Sequence, residues 1–141
     1  MGTPQFVPPG SCLVLLAVDH SALWVTSAPL AEYVHHAWPD AWMCSAFRNE
    51  GRHRSSDLIL EAIAATRWYY GTAPPNGMVT FVDQEKTKPK GHPGYCYRVI
   101  GFEHVGFTKV HNLVALQMVP ARLCYIPPEP PIGGQLDLLA P

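Results

Sequence analysis

The chain has 141 residues, of which 48% are hydrophobic and 15% charged, and its formal net charge is -1. A chain of this length forms one domain and buries roughly two-thirds of the surface that its unfolded form exposes. No apolar run reaches the roughly 18 residues of a membrane span, and residues 1–10 lack the basic and apolar regions of a signal peptide. We therefore expect a cytoplasmic protein with no membrane partner.

The first half of the chain predicts a β-hairpin, a short helix and a third strand. Two apolar runs, 12–18 and 22–27, flank a polar three-residue turn. Pro29 suits the first turn of a short helix that ends at Trp38. The apolar segment 41–47 then predicts a strand, and a polar loop rich in arginine follows it.

The strongest helical pattern covers residues 56–70, where apolar side chains recur at helical spacing. Ser55 or Ser56 can cap its N-terminus, and Asp57 complements the helix dipole. Gly71 stands just past its end.

The second half predicts a buried strand over 77–83, a lysine-rich loop and a short helix with Pro93 in its first turn and Gly101 just past its end. Segments 103–110 and 113–119 close the chain as a hairpin. This order of elements predicts an α/β layer fold with a partly parallel sheet.

Proline and glycine concentrate near the two ends of the chain. We divide the chain into an N-terminal arm (1–10), one domain (11–124) and a C-terminal tail (125–141). The two terminal segments are aperiodic, so we expect them to be extended or disordered. They could also wrap around a partner.

The four cysteines have no C-x-x-C spacing, and in a reducing compartment such residues are usually small buried hydrophobes. As nucleophiles, Cys44 and Cys96 would require a nearby histidine base. The histidines show no metal-ligand spacing, so we expect no metal site.

Two basic stretches hold six of the ten lysines and arginines. If they meet in space they form a cationic rim for the phosphates of a cofactor or a nucleic acid; otherwise they are two solvated loops. The six residues are Arg48, Arg52 and Arg54 in the first stretch and Lys86, Lys88 and Lys90 in the second.

The first stretch lies between a strand and the long helix, where free helical N–H groups attract anions. Gly51 allows a close backbone approach. A capped helix with a charged loop before it is the alternative interpretation. The candidate cofactor-binding residues are Arg48, Asn49, Gly51, Arg52, Arg54, Ser55 and Ser56.

The order of elements over 41–119 resembles the C-terminal two-thirds of the GNAT acyltransferase fold, and YRVIGF at 97–102 is similar to that family's tyrosine followed four residues later by Gly-Phe. The resemblance implies an α/β GNAT-like domain, with a mixed, mostly antiparallel sheet, a splayed parallel central strand pair and flanking helices. It implies acetyl-CoA or another acyl donor, an oxyanion held by backbone donors of strand 41–47, and Tyr97 as the acid that protonates the departing thiolate.

The chain departs from the family's phosphate loop, Gln/Arg-x-x-Gly-x-Gly/Ala. Arg48 and Gly51 fit the pattern, but His53 stands at the second small position, where its bulk would crowd a pyrophosphate. Lys90 replaces the asparagine often found seven residues before the tyrosine.

A narrower resemblance, carried by CSAFRNEG…SSDLI, GMVTFVD and PGYCYRVIGF, is to small phage-encoded GNAT-like proteins related to the Mom-type DNA-modification protein. It implies acyl transfer to adenine N6 in DNA within the host cytoplasm, with the lysine loop and Arg98 against the nucleic acid. A base flipped out of the duplex would stack on an aromatic side chain. The candidates for stacking, each alternatively a core residue, are Trp42, Trp68, Tyr69 and Tyr95.

Asp83, Glu50 and His53 are candidates for the base that deprotonates the amine, although strand-end acids also cap loops. Two other functions stay open: a catalytically inactive relative that binds nucleic acid or protein, and a small-molecule N-acetyltransferase. The oligomeric state is open as well.

Overall fold

The computed structural model describes residues 10–29, 38, 40–83, 94–109, 111–131 and 136–138. Its strands are β1 (Gly10–Ala17), β2 (Ala22–Pro29), β3 (Trp42–Asn49), β4 (Met78–Val82), β5 (Glu103–Phe107), β6 (Val114–Met118) and β7 (Leu136–Leu138). Its helices are α1 (Ser55–Tyr70), α2 (Tyr95–Val99) and α3 (Pro120–Leu123). Across these ranges, no helix combines the length and the apolarity needed to cross a bilayer.

The strands form one seven-stranded sheet in the order β5-β6-β4-β3-β2-β1-β7. Every neighbouring pair is antiparallel except β3 and β4, which run parallel. The predicted α/β class with a mixed, partly parallel sheet is therefore confirmed. The crossover between the parallel strands contains α1, as such a connection requires.

Both predicted hairpins are confirmed. His20 adopts a left-handed φ of 64° in the turn between β1 and β2, and His111 and Asn112 have φ values of 68° and 51° between β5 and β6. Positive φ at turn residues matches the right-handed twist of the flanking strands.

Helix α1 ends at the predicted residue, but its N-terminus is not capped by the predicted serine. Gly71, at φ 87°, donates its N–H to Arg67 O at 2.8 Å. The predicted serine cap is wrong: Arg54 is the extended N-cap residue, and no side chain caps the helix. Ser55 and Ser56 lie inside the first turn, and the Ser55 hydroxyl accepts a hydrogen bond from Asn49 Nδ2 at 3.0 Å.

One face of the sheet carries the main apolar core, which α1 covers. Leu58, Ile59 and Ile63 of the helix are fully buried against sheet residues that include Leu15 and Trp24. Helical and alternating spacing of apolar side chains bring these residues together on facing surfaces.

The C-terminal segment, expected to be extended or disordered, returns along α1 to the sheet. The Glu129 N–H donates to Ala64 O at 3.1 Å, and the Arg67 guanidinium donates to Ile126 O. Beyond this, Leu136–Leu138 pairs with β1 as an antiparallel edge strand. These residues therefore cover α1 and one edge of the sheet of their own chain.

Several predicted features lie outside the described residues. They are residues 1–9 of the predicted arm, most of the helix expected between Pro29 and Trp38, and the loop at 84–93 with its lysines and Pro93. The last residue of the predicted arm, Gly10, is the first residue of β1. Whether the two basic stretches meet therefore stays a prediction.

The cysteine prediction is wrong for two of the four residues. Cys44 is buried and Cys96 half-buried, but Cys12 and Cys124 are exposed. Cys12 lies near the start of β1 and Cys124 at the end of the short helix α3, and both residues are outside the apolar core.

A relay of buried hydrogen bonds connects the sheet to α1. Trp24 Nε1 donates to Thr26 Oγ1, Thr26 and Thr66 hydroxyls are 2.9 Å apart, and Thr66 Oγ1 donates to Ala62 O at 2.8 Å. Since the first and last steps fix the directions, Thr26 donates to Thr66. Each polar atom of this relay has a partner, as burial requires.

Replacing Thr66 by Val should lower the free energy of unfolding by about 1–3 kcal/mol, because Thr26 loses the acceptor for its buried hydroxyl proton. Thr66→Ser, which keeps the hydroxyl and deletes one methyl group, should cost about 0.8 kcal/mol. Denaturant unfolding measures both variants. An equal or larger loss in the serine variant would show that the relay contributes nothing.

Candidate functional site

The parallel strands β3 and β4 pair over only a few residues and then part. Their partners are Trp42 with Met78, Met43 with Val79, and Cys44 with Thr80. Both strands continue beyond this point, β3 to Asn49 and β4 to Val82. The sheet is thus open between their C-terminal halves, at the ends of parallel strands where α/β proteins commonly bind ligands.

A β-bulge on β3 lies where the strands part. Val25 of β2 pairs with Ala46, but the next residue, Thr26, pairs with Cys44. Ser45 is therefore an extra residue, and its hydroxyl lies 2.6 Å from that of Ser27. Bulges bend and twist the strand that carries them, which accounts for the course of β3 away from β4.

A cavity of about 530 Å³ occupies the opening between the two strands. Its walls come from β3, β4, the start of α2 and the first residue of α1. The lining residues are Cys44, Ser45, Ala46, Phe47, Ser55, Thr80, Phe81, Val82, Asp83, Gly94, Tyr95, Cys96 and Tyr97. This lining contains one carboxylate, and no histidine, lysine or arginine among the described residues.

Tyr97 is the buried phenol of this cavity, and 7% of its surface is exposed. Its ring meets the rings of Phe47 and Phe102 edge-on, with centroids 6.2 and 5.3 Å away. Phe102 and Tyr97 belong to the core that α1 covers. The phenol therefore lies on the same face of the sheet as α1.

Glycines delimit the short helix that carries Tyr97. Gly94 precedes it in the left-handed conformation, at φ 67°, and a Cβ there would collide with the Leu116 side chain. Gly101 follows the helix at φ 118°. The Phe102 N–H then donates to Tyr97 O at 3.1 Å. A helix of five residues is thus fixed at both ends and presents one tyrosine to the cavity.

The Tyr97 hydroxyl lies 3.5 Å from Cys44 Sγ, and the Thr80 hydroxyl donates to Cys44 O at 3.4 Å. Burial raises the pKa of Tyr97 well above its ordinary value, and the neighbouring Cys44 raises it further. Burial also raises the pKa of Cys44 from 9.0 to about 12, against the lowering effect of hydrogen bonds from Tyr97 and Thr80. At neutral pH both groups are protonated and uncharged.

The loop between β3 and α1 is fixed by Asn49. Its Oδ1 accepts the Gly51 N–H at 3.0 Å, and its Nδ2 donates to His53 O at 2.7 Å. The Glu50 N–H donates to Ser21 O at 2.7 Å, and a Cβ at Gly51 would collide with the Ser21 side chain. The loop therefore packs closely against the β1–β2 turn.

The structure brings three predicted site residues, Tyr97, Asp83 and Ser55, to the walls of one cavity. Glu50 and His53, the other two base candidates, are exposed on the loop and do not line it. Asp83 is accordingly the base candidate that the geometry favours.

The predicted cationic residues lie elsewhere. Arg52 and Arg54 are exposed on the loop beside the cavity, and exposed Arg48 has its Nε 3.9 Å from Glu50 Oε1. Arg98 faces a separate cleft of about 310 Å³, together with Arg122. The lysines of the second basic stretch are outside the described residues.

The aromatic candidates divide into two kinds. Trp42 is buried and serves the core, whereas Trp68, Tyr69 and Tyr95 are 45%, 48% and 63% exposed. The alternative interpretation as core residues is therefore confirmed for Trp42 and wrong for the other three. Tyr95 is the exposed aromatic residue that also lines the cavity.

Sequence reasoning missed the partners of Tyr97. Cys44 and Thr80 are 53 and 17 residues before it in the chain and reach it only through the sheet. As a nucleophile, Cys44 would require a histidine base, and the described lining of the cavity contains no histidine. Its position in β3, immediately before the bulge, carries no signal in the sequence.

Comparisons of the chain with protein-family models, with curated proteins and with solved structures give no match. Among the described residues, no cluster of histidine, cysteine and acidic side chains is arranged to hold a metal ion. Function is therefore inferred from the geometry of the cavity.

The raised pKa of Cys44 predicts a stability that falls at alkaline pH. Between about pH 9 and pH 12 the unfolded thiol loses its proton and the folded thiol keeps it. The folded state then binds more protons, so its free energy of unfolding falls by about 1.4 kcal/mol per pH unit. Cys44→Ala should remove this contribution.

Denaturant unfolding at about pH 8 and about pH 10 measures the effect. The decrease in the free energy of unfolding from about pH 8 to about pH 10 should be about 1.4 kcal/mol smaller in Cys44→Ala than in the unsubstituted chain. Cys12→Ala, which removes an exposed thiol, should behave like the unsubstituted chain. An equal pH dependence in all three proteins would contradict the burial of the Cys44 thiol.

Proposed function

We propose that the protein is a GNAT-like acyltransferase that transfers an acyl group from a thioester donor, such as acetyl-CoA, to an amine. The observation that carries the proposal is the phenol of Tyr97 in a cavity between two parallel strands that part beside the N-terminus of α1. The acceptor we favour is the N6 amine of adenine in DNA.

The residues around the cavity fit a donor with an anionic part. Helix α1 starts at the cavity wall, and no side chain caps it. Its first N–H groups carry the positive end of the helix dipole, and they suit phosphate oxygens. Arg52 and Arg54 add positive charge on the exposed loop, and the exposed ring of His53 is not part of the cavity wall.

The donor supplies the thioester carbonyl that an amine attacks. Past Cys44, β3 no longer pairs with β4, and residues 45–47 of the bulged segment line the cavity. Amides in this segment would donate hydrogen bonds to the oxygen on which negative charge develops. Such donors, fixed in position before the reaction, are among the largest contributions to catalysis of acyl transfer.

Tyr97 and Asp83 would divide the proton transfers. The raised pKa keeps Tyr97 protonated at neutral pH, so its hydroxyl can give a proton to the departing thiolate. Asp83 lies at the end of β4 on the cavity wall, and its carboxylate can accept the proton that the amine loses.

A nucleobase acceptor is supported by the aromatic residue at the cavity mouth. Tyr95 lines the cavity and is 63% exposed, so a base turned out of a DNA strand could stack on its ring. Exposed Arg52 and Arg54 would meet the phosphate backbone.

A second function, a binding module without catalysis, is favoured by a different observation. The Tyr97 hydroxyl is buried and already engaged with Cys44. Together with His53 in the phosphate loop, this contact is compatible with a relative of the fold that holds nucleic acid or protein and transfers nothing.

The acceptor prediction concerns the DNA of cells that express the protein. Mass spectrometry of the nucleosides should find an acylated deoxyadenosine that is absent when Tyr97→Phe is expressed instead. Unmodified DNA combined with acylation of small amines in vitro would favour a small-molecule N-acetyltransferase. Absence of both activities would favour the binding module.

Tyr97→Phe should lower kcat by about a hundredfold or more, the size of a general-acid contribution, while donor affinity stays nearly constant. Donor binding is measured by thermal unfolding: acetyl-CoA at a hundred times its Kd should stabilise both proteins by about 2.7 kcal/mol. Phe102→Leu is a matched control, because it changes a ring against Tyr97 and leaves the hydroxyl. An unchanged kcat in Tyr97→Phe would remove the phenol from the mechanism.

A further inference from the structure

We infer that Cys44 is a positioning residue for the proton of Tyr97: its sulfur accepts the phenol hydrogen bond, and its own S–H donates to the bulged backbone at Ala46. The catalytic role of Cys44 in this inference rests on the proposed function. The hydrogen-bond geometry and its titration can be tested without that function.

The contacts around Cys44 form a directed chain. The Tyr97 hydroxyl and Cys44 Sγ are 3.5 Å apart, and either atom could donate. Cys44 Sγ also donates to Ala46 O across a distance of 3.8 Å. Since a thiol has one proton, its donation to Ala46 leaves the sulfur as the acceptor and the phenol as the donor.

The ring of Tyr97 has little freedom to choose another partner. It lies edge-on against Phe47 and Phe102, in a short helix that Gly94 precedes and Gly101 follows. Only the rotation of the hydroxyl about its C–O bond is left open. We therefore assign Cys44 Sγ, 3.5 Å away, as the atom toward which the phenol proton points when the cavity holds no stronger acceptor; the Thr80 hydroxyl is a neighbouring hydroxyl that also acts on Tyr97.

The same thiol spans the β-bulge. Cys44 and Ala46 flank the extra residue, Ser45, so the bond from Sγ to Ala46 O holds the bulged segment in place. One side chain thus connects the phenol to the strand segment whose amides border the cavity. Neutral sulfur is a weak acceptor, which leaves the proton available for transfer.

Proton transfer then has a simple balance. The Tyr97 O–H bond breaks as the S–H bond of the released thiol forms, because a thiolate accepts a proton more strongly than the neutral sulfur of Cys44. The proton that the amine loses to Asp83 or to water restores the phenol. No net proton is gained or lost by the protein.

The groups that face the phenol come from each neighbouring element. They are Cys44 on β3, Thr80 on β4 and Cys96 on α2, with Asp83 farther along the cavity wall. Cys44 and Cys96 raise the pKa of Tyr97, and the Thr80 hydroxyl lowers it.

The test uses the full chain with fluorotyrosine in place of tyrosine, followed by fluorine NMR, with Tyr97→Phe to assign the signal of Tyr97. In Cys44→Ala the pKa of Tyr97 should fall, because the acceptor that held the proton is gone. Cys44→Ser, whose hydroxyl accepts and donates like the thiol, should keep the pKa close to that of the unsubstituted chain. If the alanine variant does not fold, Cys44→Val, which also lacks a polar atom, takes its place.

An unchanged or raised pKa in the variant without a polar atom would overturn the inference, since it would mean that the thiol donates to the phenol or that the two do not interact.

Where acyl transfer is measurable, Cys44→Ala should lower kcat roughly tenfold, leave the KM for the donor unchanged, and move the alkaline limb of kcat to lower pH. A chain with the expected titration and no acyl transfer would refute the proposed function alone. Acyl transfer that requires Tyr97 but is indifferent to Cys44 would refute this inference alone.

Discussion

The parting of β3 from β4 after Cys44 is the constraint on which the candidate site depends. Had the ladder continued, the backbone groups of β3 would be paired and no cavity would separate the strands. The bulge at Ser45, secured by its contact with Ser27, turns β3 away at the residue where pairing stops. The cavity, the buried phenol and the adjoining helix start all follow from this bend.

The cavity has two ends of different character. Near α1, an uncapped helix start and exposed arginines form a positive surface suited to phosphate groups. At the end of β4, Asp83 places a carboxylate on the wall, and Tyr95 exposes its ring at the mouth. In the proposed reaction, the phosphate groups of the donor would lie near the start of α1 and the amine near Asp83.

Part of the site could be predicted from the sequence because it depends on local rules. Gly101 just past the short helix and the basic loop before α1 are visible as residue types at fixed offsets, whereas the role of Tyr97 is implied only by the family resemblance of YRVIGF at 97–102. The helix N-cap could not be predicted in the same way. The Asn49 amide donates a hydrogen bond to the Ser55 hydroxyl, and Arg54 occupies the N-cap position. The choice of Asp83 over Glu50 and His53 required knowledge of which side chains line the cavity.

The sequence alone determined the strands β1 to β6 and the helices α1 and α2 in their order, since periodic burial and turn-forming residues act over a few positions. It also determined both hairpins and the α/β class. It predicted neither α3 nor β7. Tertiary structure decided what stands next to the phenol: Cys44 is far from Tyr97 along the chain, and only the register of β3 against β2 and β4 brings its sulfur to the hydroxyl. It also returned the C-terminal residues to β1. Such contacts depend on strand register and on a single bulge, and a shift of one residue would turn Cys44 to the opposite face of the sheet.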